Sequence, residues 1–291
     1  MASMRDIKRR KGSIQSTQQI TKAMKLVSTV KLQRSKQRAL NSKAYFDYMY
    51  RTIQSILGKA GTINHPFVTG NESDKKAVVV ITGNRGLAGG YNSNMIKSVT
   101  RSELFKKEDL VMYTIGKKGR EAFKRYEYTL AEDYSEMIEA PSYVDAMRLC
   151  STLLNSYRNG EIGEIWFAYT AFKSTVTHEP TLLKLLPVNQ DDFKEEAAAD
   201  ESLEKEVPMN FDMPEEEALD LIIPKYLTSI IYGGMIAAVA SENGARMQAM
   251  DSATSNAEEM ISKLTLQYNR ARQGSITQEL TEIIAGAQAI S

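Results

Sequence analysis

The chain predicts an α/β protein with a long helix at each end and an open, mostly parallel α/β domain between them. Three observations carry this. All seven prolines lie between residues 66 and 224, so both ends lack the residue that breaks helices. The C-terminal segment places uncharged residues at spacings of four and three, the period of a coiled-coil seam. The middle alternates short β-branched runs with amphipathic stretches, as in strands joined by crossover helices.

The N-terminal run to Leu57 has one internal glycine, Gly12, and predicts a helix over residues 1–60. At ~1.5 Å per residue such a helix extends roughly 80 Å or more, so it needs a mate or a partner to bury its apolar face. Ile7, Ile14, Ile20, Met24, Val27, Val30 and Leu32 form no single clean stripe, and Ser, Thr and Gln fill much of the rest. A helix this polar is only partly covered by its mate.

The segment 214–291 is better patterned. Pro214 and the acids Glu215 to Glu217 suit a helix start, with Pro224 expected to kink the first turns. Leu219, Ile223, Tyr226, Ile230, Gly233, Ala237, Ala240, Gly244 and Met247 form an uncharged seam. Gly233, Gly234 and Gly244 together cost on the order of 3 kcal/mol relative to alanine if merely exposed, so close packing is expected to offset them. After Met247 the register slips and resumes at Met250, Ala253, Ala257, Met260 and Leu264, where the helix is expected to bend or change partner.

Between the ends, residues 76–190 predict the α/β domain. Val78 to Thr82, Leu110 to Ile115 and Ile165 to Thr170 read as buried strands, with a further strand pair around Ser174 to Leu186. Asn92 to Leu104 and Ser142 to Tyr157 read as helices, the second opened by Pro141 and closed by Gly160. The loop Thr82 to Gly90 follows the first strand, where α/β folds often bind phosphate. It has no Lys-Ser or Lys-Thr after its glycines and misses the Gly-x-Gly-x-x-Gly spacing, so a structural turn is the expectation.

The net charge of +1 conceals an asymmetry. Met1 to Lys43 holds twelve Lys or Arg against Asp6, whereas Asp191 to Asp220 holds thirteen acids against Lys194 and Lys205. The acidic run reads as a linker over 191–213, and the basic helix favours an acidic partner surface. Nucleic acid fits poorly, because no aromatic residue precedes Tyr45. No secretory leader and no direct membrane insertion are expected. Cys150 excludes an internal disulfide and reads as an inert core thiol. His65 and His178 stand alone, and no nucleophile, zinc or paired-cysteine motif occurs. The residues thus predict no catalytic, cofactor-binding or metal-ligating site. A soluble α/β regulator that binds nucleotide or nucleic acid and dimerises through its helices remains the alternative reading.

Several segments resemble one family. Arg5-Asp6-Ile7 through Ser16-Thr17-Gln18-Gln19-Ile20-Thr21-Lys22-Ala23-Met24-Lys25 is similar to the start of the gamma subunit of F-type ATP synthases. So are Glu242-Asn243-Gly244-Ala245-Arg246-Met247-Gln248-Ala249-Met250, Tyr268 to Gln273, Ser275 to Ile283, and Asn84 to Leu87 with Gly90-Tyr91-Asn92. The likeness spans the chain. It implies an antiparallel coiled coil of the N- and C-terminal helices plus a central Rossmann-like open α/β domain serving as the foot. It also implies a non-catalytic central shaft inside a ring of three alpha and three beta subunits, with the epsilon subunit and the membrane c-ring as further partners and no cofactor. The resemblance places Met24, Lys22, Lys25, Arg246, Gln273, Thr277 and Glu279 in contact with the beta subunit. The seam residues Ile230, Gly233, Ala237, Ala240, Gly244 and Met247 would pair with the helix 1–60. Chloroplast members carry a cysteine-bearing insert that is missing here, which implies a bacterial protein on the cytoplasmic face of the plasma membrane.

Overall fold

The computed structural model describes residues 4–59, 65–175, 177–189 and 215–290. The expected acidic linker 191–213 lies outside the described residues. The chain divides into two compact units, one of Val30–Ala245 and one of Met1–Thr29 with Arg246–Ser291.

The larger unit is built on a five-stranded sheet of order β3-β2-β1-β4-β5. Its strands are β1 (Lys76–Ile81), β2 (Leu110–Ile115), β3 (Thr129–Asp133), β4 (Glu164–Phe172) and β5 (His178–Leu186). The first four run parallel, with Ala77 opposite both Val111 and Ile165. β5 is antiparallel to β4, pairing Phe172 with His178. The expected strand pair around 174–186 is therefore a single strand, and its mate is β4, along which it pairs from Ile165 to Phe172. The helices are α1 (Met4–Lys59), the short α2 (Pro66–Thr69), α3 (Tyr91–Thr100), α4 (Lys117–Arg125), α5 (Tyr143–Arg158) and α6 (Glu215–Ile290). α3 ends four residues before the expected Leu104.

The short α2, α4 and β3 had no sequence expectation. α4 carries Lys, Arg and Glu at six of its nine positions and buries only Gly119, Ala122 and Phe123. β3 is an edge strand exposed along most of its length, so it lacks the apolar run that marks the central strands. β1 shows the opposite case. Ala77, Val79 and Ile81 enter the core on one face, and Val78 and Val80 enter the core on the other. Burial on both faces explains the continuous Ala77-Val78-Val79-Val80-Ile81 run.

One face of the sheet is covered by α5 and by residues 219–238 of α6. Leu219, Ile223, Leu227, Ile231, Met235 and Ala238 of α6 share that core with Phe167 and Leu153. Gly234 makes the approach possible, since a Cβ there would lie 2.2 Å from Phe167 Cε1. Close packing does offset the glycine, and its partner is strand β4. On the opposite face α3 and α4 contribute Met95, Val99 and Phe123. α6 is long and apolar enough to cross a membrane by length and composition alone, but most of its apolar window is buried inside the protein. Pro224 lies within the continuous α6 helix, and its carbonyl accepts from Thr228 Oγ1 at 2.7 Å.

His65 is buried and caps α2, its Nδ1 accepting from the Phe67 N–H at 3.2 Å while Nε2 lies 3.5 Å from Asp220 Oδ1. Cys150 is buried under α6, and burial pushes its thiol up to about 11.

Candidate partner-contact site

In the smaller unit the N-terminal part of α1 and the C-terminal part of α6 run antiparallel. Gln18 Nε2 donates to Glu258 Oε1 at 3.0 Å, Thr21 Oγ1 meets Thr254 Oγ1 at 2.8 Å, and Lys25 Nζ donates to Asp251 Oδ1 at 2.6 Å. One partner number rises as the other falls, which fixes the direction. The covered positions of α1 fall in seven-residue steps at Ile7, Ile14, Thr21 and Ser28, with a second row at Lys11, Gln18 and Lys25. On α6 the rows are Met250, Ala257 and Leu264, and Thr254, Ile261, Tyr268 and Ser275. This is a heptad seam on both helices.

Much of the α1 seam is polar, which is why no clean apolar stripe is visible in its sequence. Ile20, Leu26 and Val27 are instead exposed, at 59%, 63% and 57%. On α6 the seam runs through Ile261, so the expected seam residue Met260 is 51% exposed. The choice between adjacent apolar residues is set by register, which a local pattern does not fix.

The proposed contact residues lie along these helices rather than in one site. Lys22 is exposed, Met24 is half-buried, and Lys25 is committed to Asp251. Arg246 is half-buried at the first position of the smaller unit's α6 segment. Gln273, Thr277 and Glu279 are exposed, and Thr277 Oγ1 donates to the Gln273 carbonyl at 3.0 Å. Twenty-seven residues separate Arg246 from Gln273, about 40 Å along a helix. Ile276, Leu280, Ile283 and Ile284 follow at helical spacing and are 49–68% exposed. The seam candidates fall in the larger unit except Met247. Ile230 enters the sheet core, Ala240 is buried, and Gly233 and Ala237 are half-buried.

The nucleotide alternative depends on the crevice beyond the C-terminal ends of β1 and β4, where the strand order reverses. That crevice is filled by the protein itself. The Gly83 N–H donates to Asn92 Oδ1 at 2.8 Å, the Lys117 N–H to Asn84 Oδ1 at 3.0 Å, and the Gly119 N–H to Thr82 Oγ1 at 2.8 Å. The Glu242 carboxylate lies over Gly83, where a Cβ would sit 2.6 Å from Oε1. These three N–H donors are thus occupied, and the buried Glu242 carboxylate stands beside them, which disfavours an anion there. Among the described residues no cluster of His, Cys, Asp or Glu could hold a metal ion.

The chain thus combines an antiparallel helical pair bearing exposed apolar and charged residues with an open α/β domain. The ATP synthase family model matches residues 3–290. The chain is 60% identical to the ATP synthase gamma chain of Lachnoclostridium phytofermentans, over all of both chains. It is 40% identical to the sodium ion specific ATP synthase gamma chain of Acetobacterium woodii, over 99% of each. Its fold matches a chain of the Euglena gracilis mitochondrial ATP synthase in a structure of OSCP, F1 and c-ring, with TM-score 0.68 and 19% identity over 99% of this chain and 94% of that one. A chain of the Tetrahymena thermophila central stalk and c-ring matches with TM-score 0.57 and 21% identity over 80% and 99%. The chain belongs to the ATP synthase gamma-chain family. The gamma chain is a subunit of the membrane-associated ATP synthase complex and has no catalytic role of its own, so the regulator reading is replaced.

Proposed function

We propose that this chain is the central rotor shaft of a bacterial F-type ATP synthase on the cytoplasmic face of the plasma membrane. Ion flow turns the membrane c-ring, the α/β domain is fixed to that ring with epsilon, and the helical pair turns within three alpha and three beta subunits. An uneven helical pair presents a different face to each of three identical sites, so each is held in a different conformation. The observation that carries this is the exposed apolar stripe at Ile276, Leu280, Ile283 and Ile284, which only a surrounding partner would cover.

In this reading residues 1–60 and 214–291 form the shaft, 76–190 the foot, and 191–213 joins them in sequence. Met24 and the exposed Lys22 face an acidic lever of the beta subunit through weak, screened pairs that can be exchanged during turning. Lys25 contributes through its pair with Asp251, which presents a neutralised edge beside Met24. Arg246, Gln273, Thr277 and Glu279 meet the beta subunit at separate heights. Reconstitution with alpha and beta subunits tests the proposal. Restored ATP hydrolysis that depends on this chain is expected, and a ring that turns over equally well without it would refute the shaft.

A further inference from the structure

We propose that the α/β domain grips α6 in a collar at residues 241–245, and that Glu242, seated on Gly83, is a positioning residue through which load on that domain turns α6. This rests on the rotor reading above. The collar occupies the crevice that other α/β folds give to a ligand, and α6 is held there from several sides. Ser241 Oγ donates to the Thr170 carbonyl of β4 at 3.2 Å. The Glu242 carboxylate covers Gly83 after β1, with Oε1 2.6 Å and Oε2 3.2 Å from where a Cβ would sit. Gly244 faces His178 of β5, whose Cε1 would be 2.9 Å from a Cβ. Ala245 packs with Ala88 of the loop before α3 and with Tyr91, the first residue of α3.

All five residues, 241 to 245, are buried, although three of them carry polar side chains. A helix that only crossed the sheet face would bury mainly apolar residues there, as α6 does between 219 and 238, where the buried Thr228 and Ser229 bond carbonyls of α6 itself rather than another element. The Ser241 hydroxyl bonded to the β4 backbone and the Glu242 carboxylate packed over Gly83 resist rotation of α6 about its own axis, whereas Asn243 bonds the Val239 carbonyl of α6 itself. The grip lies at the last residues of the larger unit. The segment Glu242-Asn243-Gly244-Ala245 therefore serves the connection to the foot, whereas Arg246 beyond it is assigned to the ring.

The test uses Gly83→Ala in the fully assembled complex, with two readouts. Hydrolysis by the catalytic ring with this chain places no load on the α/β domain; ATP-driven ion pumping by the whole complex in vesicles does. Gly83→Ala is expected to leave hydrolysis within about twofold of wild type and to lower ions pumped per ATP by about threefold or more. Gly83→Ala with Glu242→Asp, which withdraws the carboxylate by one methylene, is expected to recover at least about half of the lost coupling. An unchanged pumping ratio in the single variant, a parallel fall of both readouts, or a double variant without recovery would each overturn the collar. If the wild-type chain restores no hydrolysis at all, the rotor reading fails first and the collar falls with it.

Discussion

Thr21 and Thr254 meet hydroxyl to hydroxyl at 2.8 Å inside the antiparallel seam of α1 and α6, at positions where a coiled coil ordinarily carries leucine or isoleucine. One hydroxyl donates to the other, and the accepting one gives its own proton to its helix, Thr21 having the Gln18 carbonyl at 3.0 Å and Thr254 the Met250 carbonyl at 2.7 Å. A polar pair at a seam fixes register at some cost in stability. Thr21→Val or Thr254→Val alone should cost about 0.5–1.5 kcal/mol, because one hydroxyl loses its cross-helix partner. The double valine variant should be at least as stable as wild type. Thermal melts of the full chain, arranged as a double-mutant cycle, measure this; additive losses would contradict the pairing.

Gly234→Ala should destabilise the larger unit by roughly 2–4 kcal/mol, since the added methyl would press on a fully buried Phe167 ring held in β4. Phe167→Leu in the same chain should recover part of that loss despite its own cavity cost. Urea unfolding followed by the fluorescence of Trp166, next to Phe167 on β4, reports both.

Glu164 sits between Lys184 Nζ at 2.8 Å, the Trp166 indole N–H at 2.8 Å and Lys76 Nζ at 3.1 Å. Burial alone would raise its carboxyl, but Lys184, Trp166 and Lys76 together hold it down to about 2. A depressed carboxyl stabilises the fold above its unfolded value near 4.3, and that contribution fades as pH falls toward the folded value. Partial exposure limits it to about 1–2 kcal/mol. Glu164→Gln should therefore lower stability at pH 7 and flatten the acid limb between about pH 4.5 and 2. Equal acid limbs in the two proteins would argue against the network.

Cys150 should be a reporter of opening in the larger unit. Its buried thiol, pushed up to about 11 by burial, should react with iodoacetamide at pH 8 at least about a hundredfold more slowly than a free thiol. Mass spectrometry of the native chain against the urea-unfolded chain gives the ratio.

Met24→Lys should impair coupling more than assembly. It adds a third cation beside Lys22 and Lys25 on a half-buried position, at the face proposed to meet the beta subunit. The complex should be recovered in about normal yield while ATP-driven pumping falls by about threefold or more. Normal pumping would count against the contact.

The two terminal helices were legible because a proline-free run of that length has few other outcomes, and β1, β2 and β4 because both of their faces are buried. The N-terminal seam was not legible, since Lys11, Gln18, Thr21, Lys25 and Ser28 occupy heptad positions without apolar character. β3 and α4 were hidden for a related reason: little of either is buried. Of the contact residues, the resemblance supplied the names, and the pairing of Lys25 with Asp251 came only with the structure.

By itself, then, the amino-acid order determined the long helices, the central strands and the absence of a nucleotide fingerprint, all of which follow from local chemistry and spacing. Tertiary structure decided which neighbours they meet. It set Gly234 against Phe167, turned Met260 outward in favour of Ile261, and seated Glu242 on Gly83 across more than 150 residues of chain. Helical periodicity marks a face for burial, but only packing against a particular partner selects the register and the mate.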